Sequence, residues 1–427
     1  MHPIVYFTDW VKAGTIAFGL TTTYVFQPFE DFSRDARILQ DITLEQKVVI
    51  FEDDLLKNHL TSEDIFVYER PINTGDMCIW NGVHVGYRAI RYGYTHDLED
   101  LVKLKRFMFT LEKLQTHPIT GETILLRGRV KRADWNRNMP LGYRNFYYND
   151  EWVWQEDASG DQFCGQVFGL AMAWKYGDQE VKDFVGILAR DLYLYTKTNG
   201  FHLKNSDGTQ TKFSCQGPSV TSSPMSITSY LVLTKLLALQ YPNDLEVRDE
   251  YYTWAIKWNQ IHVAAHNVAV FLWKMKYSGI NQAHLMITAI TELETNPKYL
   301  KHYVYGLRRG WKLLKDHGFS NWTYLMYKNC PKKITVKDLA IAKKTLDEFS
   351  TDKKVATNID LTTDTTIRHT KWDGPKGVQP YPVWQRPAGD YIWQRNPYEL
   401  IGGDAGNEYS GLDFLIAYYM GKLYVAL

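Results

Sequence analysis

Three acidic motifs hold the residues best suited to chemistry in this chain: Gly75-Asp76, Asp157-Ala158-Ser159-Gly160-Asp161-Gln162, and Gly402-Gly403-Asp404 through Glu408. Paired carboxylates are the working parts of glycoside hydrolysis, where one protonates the leaving oxygen and the other activates water or attacks the sugar. Asp76, Asp157, Asp161 and Asp404 are the candidates, and sequence alone does not choose between retention and inversion. The structural alternative is helix capping, because Asp and Ser in a first turn satisfy free backbone N–H groups and complement the helix dipole. Asp157 and Asp161 are also a candidate pair for a divalent cation; no other cofactor is expected.

A second constellation joins His266-Asn267 to Asn281-Gln282-Ala283-His284. A polysaccharide lyase neutralises a uronate carboxylate with Asn, Gln, Arg or His and then abstracts the α-proton with a Tyr or His base. His266 and His284 could serve as that base, with Asn267 and Asn281 orienting the substrate. The alternative is that each histidine is a buried packing residue. A third element is the doublet Trp384-Gln385-Arg386-Pro387 and Trp393-Gln394-Arg395-Asn396-Pro397-Tyr398, whose indoles and guanidinium forks suit a sugar bearing a carboxylate or sulfate. Trp80, His84 and Gln162 complete the expected substrate-holding set with Arg386, Trp393 and Arg395.

These residues need elements to position them, and a repeated unit supplies the elements. A helix rich in aromatics begins at an acid- or Asn-containing motif and is followed by an amphipathic helix with one apolar stripe. The pattern predicts Asp76 to Tyr94 with Asp97 to Gln115, and Asp161 to Tyr176 with Asp178 to Thr196. It recurs at Pro224 to Gln240 with Asp244 to His262, and at Asn281 to Glu294 with Pro297 to Lys315. Further helices are expected at Leu44 to Leu60, His266 to Met275, Val336 to Phe349 and Tyr409 to Met420, which makes twelve, the number six hairpins require. In a ring of helical hairpins the first helix of every pair runs the same way, so the N-terminal motifs gather at one mouth. The expected fold is therefore an all-α (α/α)6 toroid over 44 to 427, with a short β-like N-terminal arm over 1 to 43 and long loops. Asp207-Gly208 predicts a hairpin turn within Asn205 to Pro218.

Composition narrows the function classes. A formal net charge of +1 and the lack of a Lys/Arg stripe argue against nucleic acid, and the basic stretch Lys332 to Lys354 reads as a solvated outer helix. Cys78, Cys164, Cys215 and Cys330 are far apart with no Cys-x-x-Cys pair, so no zinc or other metal site is expected beyond the candidate cation pair Asp157 and Asp161. Aromatics reach 15%, with 29 Tyr and 14 Trp, more than a helical core needs, which suggests an aromatic-lined cleft. No export signal or membrane-inserting segment is legible near the N-terminus, and Asn321-Trp322-Thr323 matches a glycosylation acceptor. Phosphate loops, Rossmann glycines, the Gly-x-Ser-x-Gly elbow and the His-Glu-x-x-His helix do not occur.

The hairpin series resembles the six-hairpin toroid proteins of carbohydrate metabolism, a group that includes uronyl hydrolases, polysaccharide lyases and inverting glucanases. Gly75-Asp76 through Trp80-Asn81-Gly82, Asp157 through Gln162, Asn281 through His284, and Trp393 to Tyr398 with Gly411-Leu412-Asp413-Phe414 carry the likeness. These motifs are most similar to those of bacterial toroid proteins without an assigned mechanism. The resemblance implies a toroid and, by analogy of fold, a glycan substrate. Two expectations follow. The first is a hydrolase or lyase acting on an acidic polysaccharide or oligosaccharide. The second is a non-catalytic virion or cell-surface component that assembles through its N-terminal arm; a virion protein would need no export signal. A toroid enzyme for small apolar molecules fits less well with so many polar residues at helix starts.

Overall fold

The computed structural model describes residues 42–137, 141–142, 144–215, 224–257, 261, 277–351, 359–360, 380–386, 391–399, 401–402 and 407–427. The described chain is mostly helical. In chain order the helices are α1 (Leu44–Asn58), α2 (Met77–Thr95), α3 (Leu98–Leu114), α4 (Gly160–Tyr176), α5 (Gln179–Thr198) and α6 (Pro224–Gln240). They continue as α7 (Leu245–Tyr252), α8 (Tyr277–Leu293), α9 (Pro297–Leu314), α10 (Ser320–Asn329), α11 (Val336–Asp347) and α12 (Leu412–Val425). None of the described helices is long and apolar enough to cross a membrane.

Two kinds of helix alternate along the chain. The even-numbered helices are interior: α2 buries every residue from Met77 to Ile90, α8 from Gly279 to Leu293, and α12 from Leu412 to Gly421. The odd-numbered helices bury one stripe, such as Val181, Val185, Leu188 and Leu192 in α5 or Tyr303, Leu307, Trp311 and Leu314 in α9. Short polar side chains start these outer helices. Thr43, Asp97, Asp178, Asp244, Asn296 and Thr335 each accept a backbone N–H of the first turn, and Thr43 and Thr335 complete capping boxes. The interior helices α2 and α10 start without such a side-chain cap.

Helix α2 packs against α3, α4 and α12; α4 packs in turn on α6 and α8, and α10 on α12. The α2–α4 contact is made by backbone. A Cβ on Gly82 would sit 1.8 Å from the Gly165 carbonyl oxygen, and one on Gly165 would sit 2.3 Å from the Ile79 Cα, so only glycine fits this seam. The 3-10 turn Ile392–Gln394 lies against α8.

The small strands lie in the connections. Strands β2 (Gly128–Lys131), β3 (Phe146–Tyr148) and β4 (Trp152–Gln155) make an antiparallel sheet ordered β2-β4-β3, and β1 (Glu69–Arg70) pairs with β9 (Glu408–Tyr409). The expected hairpin is present as β5 (His202–Lys204) and β6 (Gln210–Cys215), with Gly208 at φ +82°. Strands β7 (Ile359–Asp360) and β8 (Ile401–Gly402) pair farther on.

Several boundaries differ from the sequence expectation. Helix α8 begins at Tyr277, a full turn before Asn281, and α7 ends at Tyr252 in a π turn over Thr253–Lys257. Helix α10 was not foreseen. At ten residues it is too short to be stable alone, and it is held by burying Trp322, Tyr324, Leu325 and Met326. That burial also removes the glycosylation reading, since Asn321 and Thr323 are 2% and 5% exposed inside α10. The expected helix over 266–275 and the arm over 1–41 lie outside the described residues.

Candidate functional site

The N-terminal halves of the interior helices touch one another. The Cys78 thiol of α2 donates to the Gln162 carbonyl of α4 at 3.7 Å, and the Cys164 thiol of α4 donates to the Gln282 carbonyl of α8 at 3.7 Å. Ser229 of α6 also lies against Cys164. The His284 ring of α8 packs on Trp322 of α10 at 4.6 Å, and the indole N–H of Trp393 donates to the Asp413 carbonyl of α12 at 3.0 Å. One end of the interior thus collects residues from all six of these helices.

Asp76 sits at that end. It occupies the N-cap position of α2 without capping it, so the capping explanation does not hold for this residue. Its Oδ1 instead accepts from Arg127 Nη2 at 3.1 Å and from Gln162 Nε2 at 3.0 Å, and its side chain is 49% exposed. Arg127 also donates to the Gly75 carbonyl at 2.6 Å and the Asp157 carbonyl at 3.3 Å, which ties the Asp76 and Asp157 loops together. Gln162 is itself fixed by the Ser159 capping box at the start of α4, on the same turn as the half-buried Asp161. The carboxylate of Asp76 is therefore held between the Arg127 guanidinium and the Gln162 amide, and Gln162 is the chain neighbour of Asp161.

Asn281 and His284 lie one turn apart on α8 and are 1% and 2% exposed. Among the described residues, neither amide atom of Asn281 and neither ring nitrogen of His284 has a hydrogen bond of good geometry. Burial draws the His284 pKa down to about 3, and a weak main-chain interaction with Asn321 opposes the shift. The imidazole is neutral at physiological pH. A buried polar group left unsatisfied costs about 1–3 kcal/mol, so this pair of side chains is where a polar group brought in from outside would gain most.

Aromatic rings wall the neighbouring space. Trp80 stacks with Tyr391 at 4.6 Å and with Tyr68 at 4.9 Å, and Tyr68 reaches Tyr409 at 5.5 Å. Beneath them lies Asp413, which sequence reading noted only as part of a resemblance. Its Oδ2 accepts the Ile392 N–H at 3.0 Å and the Tyr68 hydroxyl at 3.5 Å, and its Oδ1 accepts the Phe414 N–H at 3.0 Å. Burial raises its pKa to about 6 against the pull of these hydrogen bonds. An acid in the first turn of an otherwise apolar helix was the available signal.

Other expected site residues have different surroundings. His84 is fully buried two turns into α2, where its Nε2 accepts from Arg88 Nε at 3.0 Å and its ring packs on Phe66 and Phe107. Trp80 at 4% and Trp393 at 1% exposure are packing residues rather than open stacking planes; Trp393 is enclosed by Phe319 and Phe349. Arg386 is buried as well, donating to the Tyr381 carbonyl at 2.9 Å, with its pKa lowered to about 10 by desolvation. Within the expected sugar-holding doublet, Trp393 and Arg386 are thus buried, whereas Arg395, 26% exposed, lies 3.9 Å from Glu399. Asp157 takes a left-handed backbone (φ +58°), and its Oδ1 accepts the Lys212 N–H at 2.8 Å. His266, Asn267 and Asp404 lie outside the described residues. No protein-family model matches this chain, and no characterised protein matches its sequence.

Proposed function

We propose that the chain is a six-hairpin (α/α)6 toroid whose helix-start end binds and cleaves an acidic oligosaccharide or polysaccharide. The alternation of interior and one-stripe helices supports the architecture. The observation that carries the activity is the unpartnered pair Asn281 and His284 at the end where the acids converge. A sugar hydroxyl donates and accepts at once, and an exocyclic hydroxymethyl arm is narrow enough to reach a buried amide and a neutral imidazole. Arg127 would face a uronate carboxylate, Asp76 and Asp161 would share the acid and base roles, and Gln162 would hold them in register. Hydrolysis is favoured over elimination because an imidazole with a pKa of about 3 is a weak base.

A second reading, a non-catalytic virion or cell-surface scaffold, draws on the burial of Trp393 and Arg386 and on the use of Asp157 Oδ1 by a backbone N–H. Incubation with neutral, uronate-containing and sulfated polysaccharides separates the readings. New reducing ends without ultraviolet absorbance, lost in Asp76→Asn, support the hydrolase. Absorbance from unsaturated uronates would make it a lyase, and silence from folded protein across the panel would favour the scaffold.

A further inference from the structure

We propose that Asp54, His59 and Glu408 bind one divalent transition-metal ion, with Zn(II) the best match. These three residues belong to no part of the site described above. Asp54 lies near the end of α1, His59 is the residue that follows α1, and Glu408 belongs to β9, just before α12. One ligand atom from each lies within 4.8 Å of the others.

The independent sign of a ligand is the histidine. His59 is 0% exposed, and its Nδ1 lies 2.8 Å from the Val67 carbonyl oxygen. A carbonyl oxygen only accepts, so Nδ1 carries the proton and the neutral ring presents the Nε2 lone pair. That arrangement is how ligating histidines are held. Nε2 has no hydrogen-bond partner and points towards Asp54 Oδ2 at 3.4 Å. This is long for a charge-assisted hydrogen bond but close to the ligand–ligand edge of a tetrahedral site, about 3.3–3.4 Å for bonds of about 2.0–2.1 Å. Outer contacts also orient the ligands. Asn58 Nδ2 donates to Asp54 Oδ1 at 2.8 Å, and the Val67 N–H donates to the His59 carbonyl at 2.8 Å, locking the ring's own backbone. One imidazole and two carboxylates leave a fourth tetrahedral position for water, and the nitrogen–oxygen set suits Zn(II) better than Mg(II) or Ca(II). An ion here would clip the end of α1 to the strand that leads into α12.

Two metal-free arrangements compete. The His59 ring could pair directly with Asp54, or the guanidinium of Arg70, the register partner of Glu408, could balance the carboxylates. Both predict indifference to metal. The test is to strip the full chain with EDTA and titrate it with zinc chloride against a chromophoric chelator, following the thermal midpoint in parallel. The expected result is one ion per chain, a higher midpoint on reloading, and X-ray absorption showing nitrogen and oxygen ligands. Asp54→Asn and Glu408→Gln, at half-buried positions, should each weaken zinc by at least about tenfold with circular dichroism preserved; His59→Ala would open a hole in the core and is not relied on. No uptake, an unchanged midpoint, sulfur ligation, or unchanged affinity in both carboxylate variants would overturn the site.

Discussion

The two ends of the interior helices differ in how their buried carboxylates, amides and imidazoles are matched. At the finishing end every prominent acid is matched. Glu294 accepts from Lys235 at 3.0 Å, from Tyr251 at 2.6 Å and from the Asn296 N–H at 2.8 Å, while Glu292 accepts from Tyr176 at 2.8 Å and pairs with Lys328. At the starting end Asn281 and His284 have no partner, and Asp413 is buried with a raised pKa. Among the described residues the buried acids at one end are thus paired, whereas a buried amide and imidazole at the other are not. An end that spends stability on unmet hydrogen bonds is the end to associate with a ligand.

The largest effect that can test this contrast is at the finishing end. Glu294→Gln leaves Lys235 as an uncompensated buried charge, and chemical denaturation should show a loss of about 3–5 kcal/mol. A loss below 1 kcal/mol would mean that the pairing there is ornamental and the contrast false.

Acid titration probes the starting end. His284 and His317 both have folded pKa values lowered by burial to about 3, so between there and about 6.5 the unfolded chain binds protons that the folded chain refuses. Stability should fall with acidification across that window, by roughly 1.4 kcal/mol per pH unit per histidine. Asp413 has the opposite sign. Its folded pKa is raised to about 6, so its contribution is present at low pH and lost as pH rises through 6, which partly offsets the histidines. Asp413→Asn should therefore steepen the dependence between pH 4 and 6 by about 1.4 kcal/mol per unit; a slope identical to wild type would mean that Asp413 is ionised throughout.

Arg127→Ala removes the clamp on Asp76 and on the Gly75 and Asp157 carbonyls. Because the guanidinium is partly exposed, about 1 kcal/mol is expected, and the proposed function adds a drop in glycan turnover much larger than the stability change. The smallest effect on stability is the most discriminating. Asn281→Leu deletes two unpartnered polar atoms, so the denaturation midpoint should stay level or rise by about 1 kcal/mol while sugar binding is lost. A fall of similar size would show that ordered water already satisfies the amide.

Periodicity made the alternating helices legible, because a helix with apolar residues on every face must be interior and one with a single stripe must not. It did not reveal α10, whose ten residues include Asn321 and Thr323 and whose N-cap position is Phe319, so neither length nor capping chemistry announced it. The strands β2 to β4 are three or four residues each, too short for an alternating pattern to stand out. At the site, the acids at helix starts were visible as residue types, and Asp76 and Gln162 do meet. The Trp-Gln-Arg doublet misled because stacking planes and packing planes have the same composition; only burial separates them. Asn281 and His284 were legible as a pair, but the lack of partners is a property of their neighbours, which no local pattern encodes.

The glycine seam between α2 and α4 has a consequence for motion. Where two helices touch backbone to backbone, neither can slide or tilt without steric collision, so the first two interior helices form a rigid wedge. Local opening is easier where helices meet through side chains, as α8 and α10 do through the His284 and Trp322 rings. Amide hydrogen exchange should reveal this as slow, cooperative opening in α2 and α4 and faster local opening in α10, a door hung on one side only.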